Sequence, residues 1–231
     1  MSILKKGIKI LKLLFKPSFY YSVYFNFHFL PLSQAKKLPI KVLVKPTLLR
    51  TSGKIIIDAP KISYGMIRFG KQRTPISIPK EFIIKNSGTI VFKGKCRLGH
   101  HMLIQVGPKG YLEFGDQTAL NPGSRIVCQE KIIFKYKART SWECQIYDTD
   151  FHPVIDMVRN KPIRMTSPII IGERAWIGHN VIISKGVKLA DDIIVSSGSV
   201  VKKSVSTPNC IIAGNPAIVI DDGYKAEIDD F

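Results

Sequence analysis

Large aliphatic residues recur every six positions through the last third of this 231-residue chain. Five of the six are followed by a small residue, and the unbroken series is Ile171, Ile177, Ile183, Leu189, Val195 and Val201. A period of six fits neither an α-helix, which repeats about every 3.6 residues, nor a single strand, whose side chains alternate at every second residue. It predicts short strands joined by tight turns, each strand turning one large side chain towards a shared core.

Two shorter series precede this one and extend the pattern towards the N-terminus. They are Phe114, Leu120, Ile126, Ile132, Ala138 and Cys144, and then Phe92, Leu98 and Ile104. Repeats that each contact only their neighbours stack into a solenoid. We therefore expect an all-β solenoid over residues 40–220, with irregular leading coils before residue 86. A separate segment over residues 1–39 precedes it, and a solvated acidic tail over residues 221–231 follows.

The first fifty residues carry ten Lys or Arg and no acid, which is more than half of the net charge of +18. Between residues 3 and 15, apolar side chains fall on one side of a predicted helix and lysines on the other, and residues 19–29 are rich in aromatic side chains. The segment either attaches peripherally to an anionic membrane surface or packs its apolar face on the protein or a neighbouring subunit.

The sequence predicts a cytoplasmic protein whose N-terminal segment contacts the inner face of the membrane. Lysines at positions 9 and 12 interrupt what would be the apolar region of a signal peptide. The four cysteines show no paired spacing and are expected to be reduced and packed: Cys96, Cys128, Cys144 and Cys210. Charge alone suggests nucleic acid, but no recognition motif accompanies it, so we expect no nucleic-acid partner.

The six-residue repeat stops between Tyr147 and Ser167, and a loop leaving a solenoid is where function tends to be placed. Residues 148–154 of this loop read Asp-Thr-Asp-Phe-His-Pro-Val. A neutral imidazole is suited to take a proton from a weakly nucleophilic hydroxyl. His152 is therefore the candidate general base.

The repeat, the His-Pro-Val string, the restart Trp176-Ile177-Gly178 and the turn Ala213–Ala217 resemble the hexapeptide-repeat acyltransferases. Within that family, the loop and the restart are similar to those of the galactoside, maltose and capsular-polysaccharide O-acetyltransferases. It implies a left-handed parallel β-helix, a homotrimer, acetyl-CoA as donor, no metal, and His152 as general base. Relatives often carry Arg just after the proline of the turn, whereas this chain has Ala217 and Ile218, so adenine-end contacts are expected to differ.

Further roles are expected for individual residues. Asp150 would orient His152, either aspartate of the loop can serve as orienter or acceptor ligand, and three residues would contact the acceptor: Asp148, Trp142 and Asn121. For Trp142, packing is favoured over stacking on a sugar ring. For both aspartates, capping of the loop's own turn stays an equally open reading. The residues implied for the cofactor are Trp176, Gly178, His179, Ser197, Lys202, Lys203 and Asn215. The adjacent lysines fit the phosphates of coenzyme A as point charges.

The expected function is acetyl-CoA-dependent O-acetylation of a saccharide hydroxyl, of capsular or lipopolysaccharide type, on an acceptor such as a lipid-linked glycan. Two alternatives stay open. One is N-acetylation of an amino-sugar nucleotide, and the other is a non-catalytic hexapeptide scaffold that binds membrane or glycan. A zinc carbonic anhydrase on the same fold is disfavoured, because the five histidines include no His-x4-His pair.

Overall fold

Three parallel β-sheets run side by side along the chain, and successive strands enter them in rotation. The computed structural model describes residues 17–70 and 81–228, so the predicted amphipathic helix over residues 3–15 lies outside the described residues. Two helices come first, α1 (Pro17–Phe29) and α2 (Leu32–Ala35).

Sheet A contains, in spatial order, β1 (Ile40–Val42), β4 (Ile67–Phe69), β7 (Cys96–Leu98), β10 (Thr118–Leu120), β13 (Arg139–Thr140), β18 (Trp176–Ile177), β20 (Ile194–Val195), β22 (Cys210–Gly214) and β23 (Ala217–Asp222). Sheet B contains β2 (Thr47–Arg50), β5 (Phe82–Asn86), β8 (Met102–Val106), β11 (Arg125–Cys128), β14 (Gln145–Tyr147), β19 (Ile182–Ile183) and β21 (Val200–Val201). Sheet C contains β3 (Lys54–Ile57), β6 (Thr89–Phe92), β9 (Tyr111–Phe114), β12 (Lys131–Phe134) and β17 (Ile169–Ile171). A separate antiparallel hairpin pairs β15 (Val154–Asp156) with β16 (Lys161–Ile163).

One strand from each sheet makes one coil as far as β17, and in the later coils isolated bridges replace the strand of sheet C. The chain forms a left-handed parallel β-helix, which confirms the predicted fold class. Neighbouring strands within the three sheets pair in parallel, except for β22 and β23. We call the turns that lead from sheet A to sheet B the A/B edge, and those that lead from sheet B to sheet C the B/C edge. These two edges carry the residues discussed below.

The predicted aliphatic series do form the core, and every member of all three is buried. Phenylalanine rings stack through consecutive coils, with centroids of Phe92 and Phe114 5.3 Å apart and those of Phe114 and Phe134 5.4 Å apart. The length of a coil changes along the axis. Leu98 pairs with Leu120, 22 residues on, whereas Ile177 pairs with Val195, 18 residues on. Only the later coils are therefore three plain hexapeptides.

Helix α1 closes the first coil by placing polar side chains against the open edge of β1. Asn26 Nδ2 donates to the Ile40 carbonyl at 2.7 Å, and the Ile40 N–H donates to Asn26 Oδ1 at 3.0 Å. The Val42 N–H donates to Ser22 Oγ at 2.9 Å. Phe25 of the same helix is fully buried and contacts Phe69 edge-on at a centroid distance of 5.4 Å.

Within residues 17–39, Phe25 is buried while Tyr20 and Phe27 are exposed. The choice between membrane contact and packing concerns the apolar face of the helix over residues 3–15, which lies outside the described residues. None of the described helices has the length and hydropathy needed to cross a membrane.

The acidic segment begins within a strand, since β23 continues to Asp222. Asp221, Asp222 and Glu227 are exposed, and residues 226–228 line a groove together with Arg97 and Arg139 of sheet A. The solvated tail over residues 221–231 stays a prediction.

Candidate active site

The loop that interrupts the repeat leaves the β-helix at the B/C edge, directly after β14. Its outer part is the β15/β16 hairpin, closed by a turn in which the Val158 and Arg159 N–H groups both donate to Asp156 Oδ1 at 3.0 Å. These bonds, with the Arg159 guanidinium, lower the pKa of the Asp156 carboxyl. Large apolar side chains on the hairpin face outwards, and that of Val158 is 97% exposed.

Asp148 holds the base of this loop to the preceding coil. It is fully buried, and its carboxylate accepts three backbone N–H groups: Gln129 at 2.7 Å on Oδ1, and Glu130 and Lys131 at 2.8 Å each on Oδ2. Both oxygens are engaged in this way. The turn that Asp148 caps is the one at residues 129–131 of the preceding coil, not the loop's own turn, and its burial leaves the acceptor-binding role without support.

Two further ion pairs fix the stem of the loop to the coils on either side. Glu130 of the preceding coil accepts from Arg164 and, at 2.7 Å, from the Thr166 hydroxyl. Lys185 of the following coil donates to the Asp150 carboxylate and to the Arg164 carbonyl. The stem is thus tied to the preceding coil and to the following one, although the hairpin beyond it is exposed.

His152 lies between this stem and the hairpin, with an exposed side chain. Within residues 17–70 and 81–228, no hydrogen bond to its imidazole is present, and the Asp150 carboxylate pairs with Lys185. The orienting role of Asp150 towards His152 stays a prediction.

Several of the residues implied for cofactor and acceptor lie together at the A/B edge. Trp142 and His179 stack face to face, with centroids 5.2 Å apart and planes 16° apart. The Asn180 N–H donates to the Trp142 carbonyl at 3.1 Å, and the Gly198 N–H donates to the His179 carbonyl at 2.9 Å. Trp142, His179 and Ser197 therefore follow one another in successive coils.

The register explains this column and its counterpart at the B/C edge. Thr140, Ile177 and Val195 are aligned in sheet A, and the residue two positions after each is Trp142, His179 or Ser197. Ile146, Ile183 and Val201 are likewise aligned in sheet B, and the residue two positions after each is Asp148, Lys185 or Lys203.

The residues predicted for catalysis and for cofactor binding are therefore divided between two edges of one chain. Lys202 and Lys203 are exposed at the B/C edge, the edge that carries the His152 loop. The column of Trp142, His179 and Ser197 lies across sheet B, at least about 10 Å away for a three-residue strand. One protomer by itself does not bring the two groups together.

The remaining predicted residues have distinct positions. A Cβ on Gly178 would lie 2.7 Å from the Ser197 backbone nitrogen, so its small size serves the stacking of coils. Asn121 belongs to the A/B edge, and exposed Asn215 lies just after β22. Trp176 is on neither edge, because it points outwards from sheet A and is 43% exposed.

Lys185 and Glu130 are the functional candidates that the sequence did not single out. The signal for Lys185 was its place two residues after Ile183, a buried member of the repeat, but its significance depends on the register of sheet B. No group of three metal-ligating side chains occurs within the part of the chain that the structure describes.

No protein-family model matches the chain. A putative acetyltransferase of Dictyostelium discoideum is 45% identical over 143 residues, which cover 62% of this chain and 70% of that protein. The galactoside O-acetyltransferase of Escherichia coli K12 is 39% identical over 69 residues, 30% of this chain, and the match spans only 34% of that protein.

Another curated relative and one solved structure are also similar to the chain. A putative lipopolysaccharide biosynthesis O-acetyl transferase of Escherichia coli K12 is 27% identical over 145 residues, 59% of this chain and 74% of that protein. Among solved structures, the polySia-specific acetyltransferase NeuO has a TM-score of 0.51 over 83% of this chain and 80% of that chain, at 20% identity. That similarity supports the fold.

Proposed function

This chain belongs to the hexapeptide-repeat acetyltransferases, and from that premise we propose that it transfers an acetyl group from acetyl-CoA to a saccharide hydroxyl. The observation that carries the proposal is the placement of His152. Its loop stem is fixed to the coils on either side through Asp148, Glu130 and Lys185, while the imidazole itself is exposed to an incoming acceptor. A positioned but accessible imidazole is what a general base requires.

The residues at the two edges fit the parts of acetyl-CoA. Lys202 and Lys203 form an exposed cationic pair that suits its phosphates. The partly exposed Trp142–His179 stack, followed by exposed Ser197, offers a flat surface and a hydroxyl for the thiol arm. When bound, acetyl-CoA supplies a thioester carbonyl that is open to attack by an oxygen nucleophile.

His152 handles the proton in the proposed reaction. In its neutral form the imidazole accepts the hydroxyl proton while the acceptor oxygen forms a bond to the acetyl carbonyl carbon. The imidazolium then donates that proton to the sulfur as the carbon–sulfur bond breaks. The products are the acetyl ester and the free thiol, and His152 returns to its neutral form.

A homotrimer is proposed because one chain carries the two halves of the site on different edges. Packing the B/C edge of one copy against the A/B edge of the next joins them, and a repeated head-to-tail contact closes a ring. Exposed apolar side chains on the hairpin support such a contact, since an isolated chain leaves Ile155, Met157 and Val158 largely in water.

The proposed acceptor is a saccharide of capsular or lipopolysaccharide type. Support comes from the relatives that act, by name, on a galactoside and in lipopolysaccharide biosynthesis. Transfer to the amine of an amino-sugar nucleotide is the competing outcome.

The first experiment is calorimetric titration with CoA, which needs no knowledge of the acceptor. We expect binding with Kd near about 1 μM, equivalent to about −8 kcal/mol, and a clear weakening when Lys202 and Lys203 become Ala. The matched control changes Lys36 and Lys37, another adjacent exposed pair, to Ala. Absence of heat at several temperatures with the wild-type chain would favour the scaffold alternative.

The second experiment measures acetyl transfer to a panel of glycosides and amino sugars. His152→Ala should abolish transfer without loss of CoA binding, whereas His28→Ala, at an exposed histidine of α1, should leave both intact. Acetylation confined to primary amines would overturn the O-acetyl assignment. Analytical ultracentrifugation of the same samples tests the trimer, and a monomeric active species would contradict it.

Peripheral contact with an anionic membrane at its cytoplasmic face is proposed from the charge of residues 1–50 and from the exposed aromatic rings of Tyr20 and Phe27 on α1. Co-sedimentation with vesicles containing phosphatidylserine is the test. Binding should fall on deletion of residues 1–16 and on Phe27→Ser. Full-length protein that stays in the supernatant would refute the contact.

A further inference from the structure

Helix α1 has apolar side chains on both of its faces. Seven of its thirteen side chains are aromatic, and none is Lys, Arg, Asp or Glu. One face packs on the first coil through Phe25 and Asn26, which are fully buried. Tyr20 and Phe27 lie seven residues apart on the opposite face, and their side chains are 64% and 51% exposed. Because a helix that is apolar all round is normally covered on every side, the outer face of α1 is expected to have a partner.

The outer face of α1 lies at one end of the β-helix. Asn26 and Ser22 bond to the N–H and C=O groups of β1 that point away from β4, so α1 lies beyond the first strand along the solenoid axis. We call the exposed surface of α1, α2 and the first coil, residues 17–57, the N-terminal end face. Three aliphatic side chains on it are also exposed: Leu32, Leu43 and Leu49. Apolar exposure at this end is therefore not confined to α1.

The charge of the N-terminal end face has one sign. Residues 17–57 contain six Lys or Arg and no acid, and the first carboxylate side chain in the sequence is that of Asp58. The six cations, all exposed except Lys41, are Lys36, Lys37, Lys41, Lys45, Arg50 and Lys54. At the other end of the solenoid, residues 200–228 contain three cations and three acids. The molecule is therefore polarised along its axis.

The combination of exposed aromatic and aliphatic side chains with cations suits an anionic lipid surface. Aromatic rings enter the headgroup level of a bilayer, and lysines there face its phosphates. A second copy of this chain fits poorly, because two such faces would bring like charges together. A nucleic acid would pair with the cations but not with the aliphatic side chains. Residues 1–16, which precede α1, add five lysines at this same end.

We propose that the N-terminal end face seats the protein on an anionic lipid leaflet with the solenoid axis upright. The inference rests on the membrane contact and the transferase function proposed above, and it specifies the orientation that those leave open. Contact through residues 1–16 alone would let the β-helix take any angle to the membrane. Seating through α1, α2 and the first coil sets one angle.

The upright orientation sets the height of the active site above the lipid. Sheet B has four strand spacings between β2 of the first coil and β14, where the His152 loop leaves. At about 4.8 Å each they amount to about 19 Å, and the thickness of α1 adds about 10 Å. The reacting hydroxyl is therefore held about 20–30 Å from the leaflet. The preferred acceptor is a lipid-linked glycan long enough to project that far, rather than a sugar beside the headgroup.

A matched pair of labelled variants of the full chain tests the orientation. The four native thiols are buried, so a dye is attached at Ser33→Cys on α2 or at Ser206→Cys just before β22, both exposed sites. With vesicles containing phosphatidylserine, the dye at Ser33→Cys should shift to an apolar emission. The dye at Ser206→Cys should stay in water, because β22 lies seven spacings, about 34 Å, from β1. Equal shifts, or a larger shift at Ser206→Cys, overturn the proposal.

Charge and aromatic variants test the face itself by vesicle co-sedimentation. Changing Lys36 and Lys37 to Gln should weaken binding about 20-fold, while the same change at exposed Lys131 and Lys188 should weaken it less than about threefold. Equal weakening by the two pairs would assign binding to overall charge and overturn the proposal.

The aromatic pair compares two exposed tyrosines. Tyr20→Ser should weaken vesicle binding about fivefold, and Tyr224→Ser should leave it unchanged. Unchanged binding by Tyr20→Ser would contradict insertion of the outer face of α1. Vesicles of phosphatidylcholine alone should capture little of the wild-type protein, and capture equal to that on phosphatidylserine would refute the anionic partner.

Transfer assays on the same vesicles keep the proposals distinguishable. A glycoside found active in the panel is joined to lipid either directly or through a spacer that reaches about 30 Å, and the long form should be acetylated at least about tenfold faster. Equal rates overturn the height. If no acceptor is acetylated but the dye at Ser33→Cys enters the membrane, the proposed transferase function fails and the seating stands. If vesicle binding and transfer occur while both dyes stay in water, residues 1–16 carry the contact and this inference alone fails.

Discussion

Asp148→Asn is the substitution whose effect the structure defines best. Asp148 accepts the Gln129 N–H on one oxygen and the Glu130 and Lys131 N–H groups on the other, all at 2.7 to 2.8 Å. An asparagine retains one oxygen, which serves the Glu130 and Lys131 donors. The Gln129 N–H then faces the amide NH2 group, so that two donors oppose each other in a buried place.

The magnitude follows from this count. Loss of one charge-assisted bond and creation of a buried unpaired donor cost about 1–3 kcal/mol each, and the lower desolvation cost of a neutral amide offsets part of that. We expect the turn at residues 129–131 to be destabilised by about 2–3 kcal/mol, which corresponds to amide exchange about 30- to 150-fold faster.

Hydrogen exchange read by mass spectrometry on peptides that span residues 129–131 is the assay. The matched control is Asp116→Asn in an earlier turn. Asp116 accepts both of its backbone partners, Lys95 at 2.7 Å and Gln117 at 2.9 Å, on the single oxygen Oδ1, which an asparagine also provides. Exchange there should change less than about fivefold. Wild-type exchange at residues 129–131 in Asp148→Asn would refute the reasoning.

Three further predictions concern the loop clamp, the core and the thiols. Lys185→Met should lower kcat/KM for acetyl transfer about ten- to hundredfold, because it removes the contacts that hold the loop stem. The free energy of unfolding should fall by less than about 1 kcal/mol. Lys188→Met is the control. An unchanged kcat/KM in Lys185→Met would contradict a role for Lys185 in holding the loop stem. Phe114→Ala should lower the free energy of unfolding in urea by about 3–5 kcal/mol, because its buried ring stacks with two others. Phe27→Ala, at an exposed site, should lower it by less than about 1 kcal/mol. Equal losses in the two variants would contradict the stacked core. Burial raises the pKa of all four cysteine thiols, that of Cys144 to about 12, so at pH 8 almost no thiolate is present in the folded chain. Ellman's reagent should then react only after unfolding, and fast labelling of the native protein would show this to be wrong.

The sequence predicted the core well because one physical requirement, a large side chain turned inwards from each strand, is visible in the spacing alone. The six members of the series that begins at Ile171 and ends at Val201 are all buried, as that spacing requires. The length of a coil could not be predicted in the same way. Strands such as β9 bury two side chains, Leu112 and Phe114, and each pairs with a residue 20 positions later. The six-residue series passes through such coils unbroken, so it does not reveal that they are longer than 18 residues.

The site was predictable as a set of residues but not as an arrangement. Trp142 and His179 are 37 residues apart, and only removal of the inserted loop reveals that they occupy equivalent turns of adjacent coils. The role of Asp148 depended on backbone donors almost twenty residues earlier, which no local pattern displays. The hairpin β15/β16 is two three-residue strands, one containing Pro162, and is too short for alternation to be recognised.

The side chains of Ser22 and Asn26 affect whether such a molecule assembles end to end with other copies. A stack of parallel strands ends in a row of unpaired backbone N–H and C=O groups, on which another chain can assemble. A solenoid with such open ends is therefore prone to form end-to-end fibres. At the first coil, an amide and a hydroxyl from α1 occupy that row in place of a strand. In the last turn of sheet A, β23 runs in the opposite direction along β22. Duplication or loss of one 18-residue unit between these two elements would change the height of the molecule and leave both of them in place.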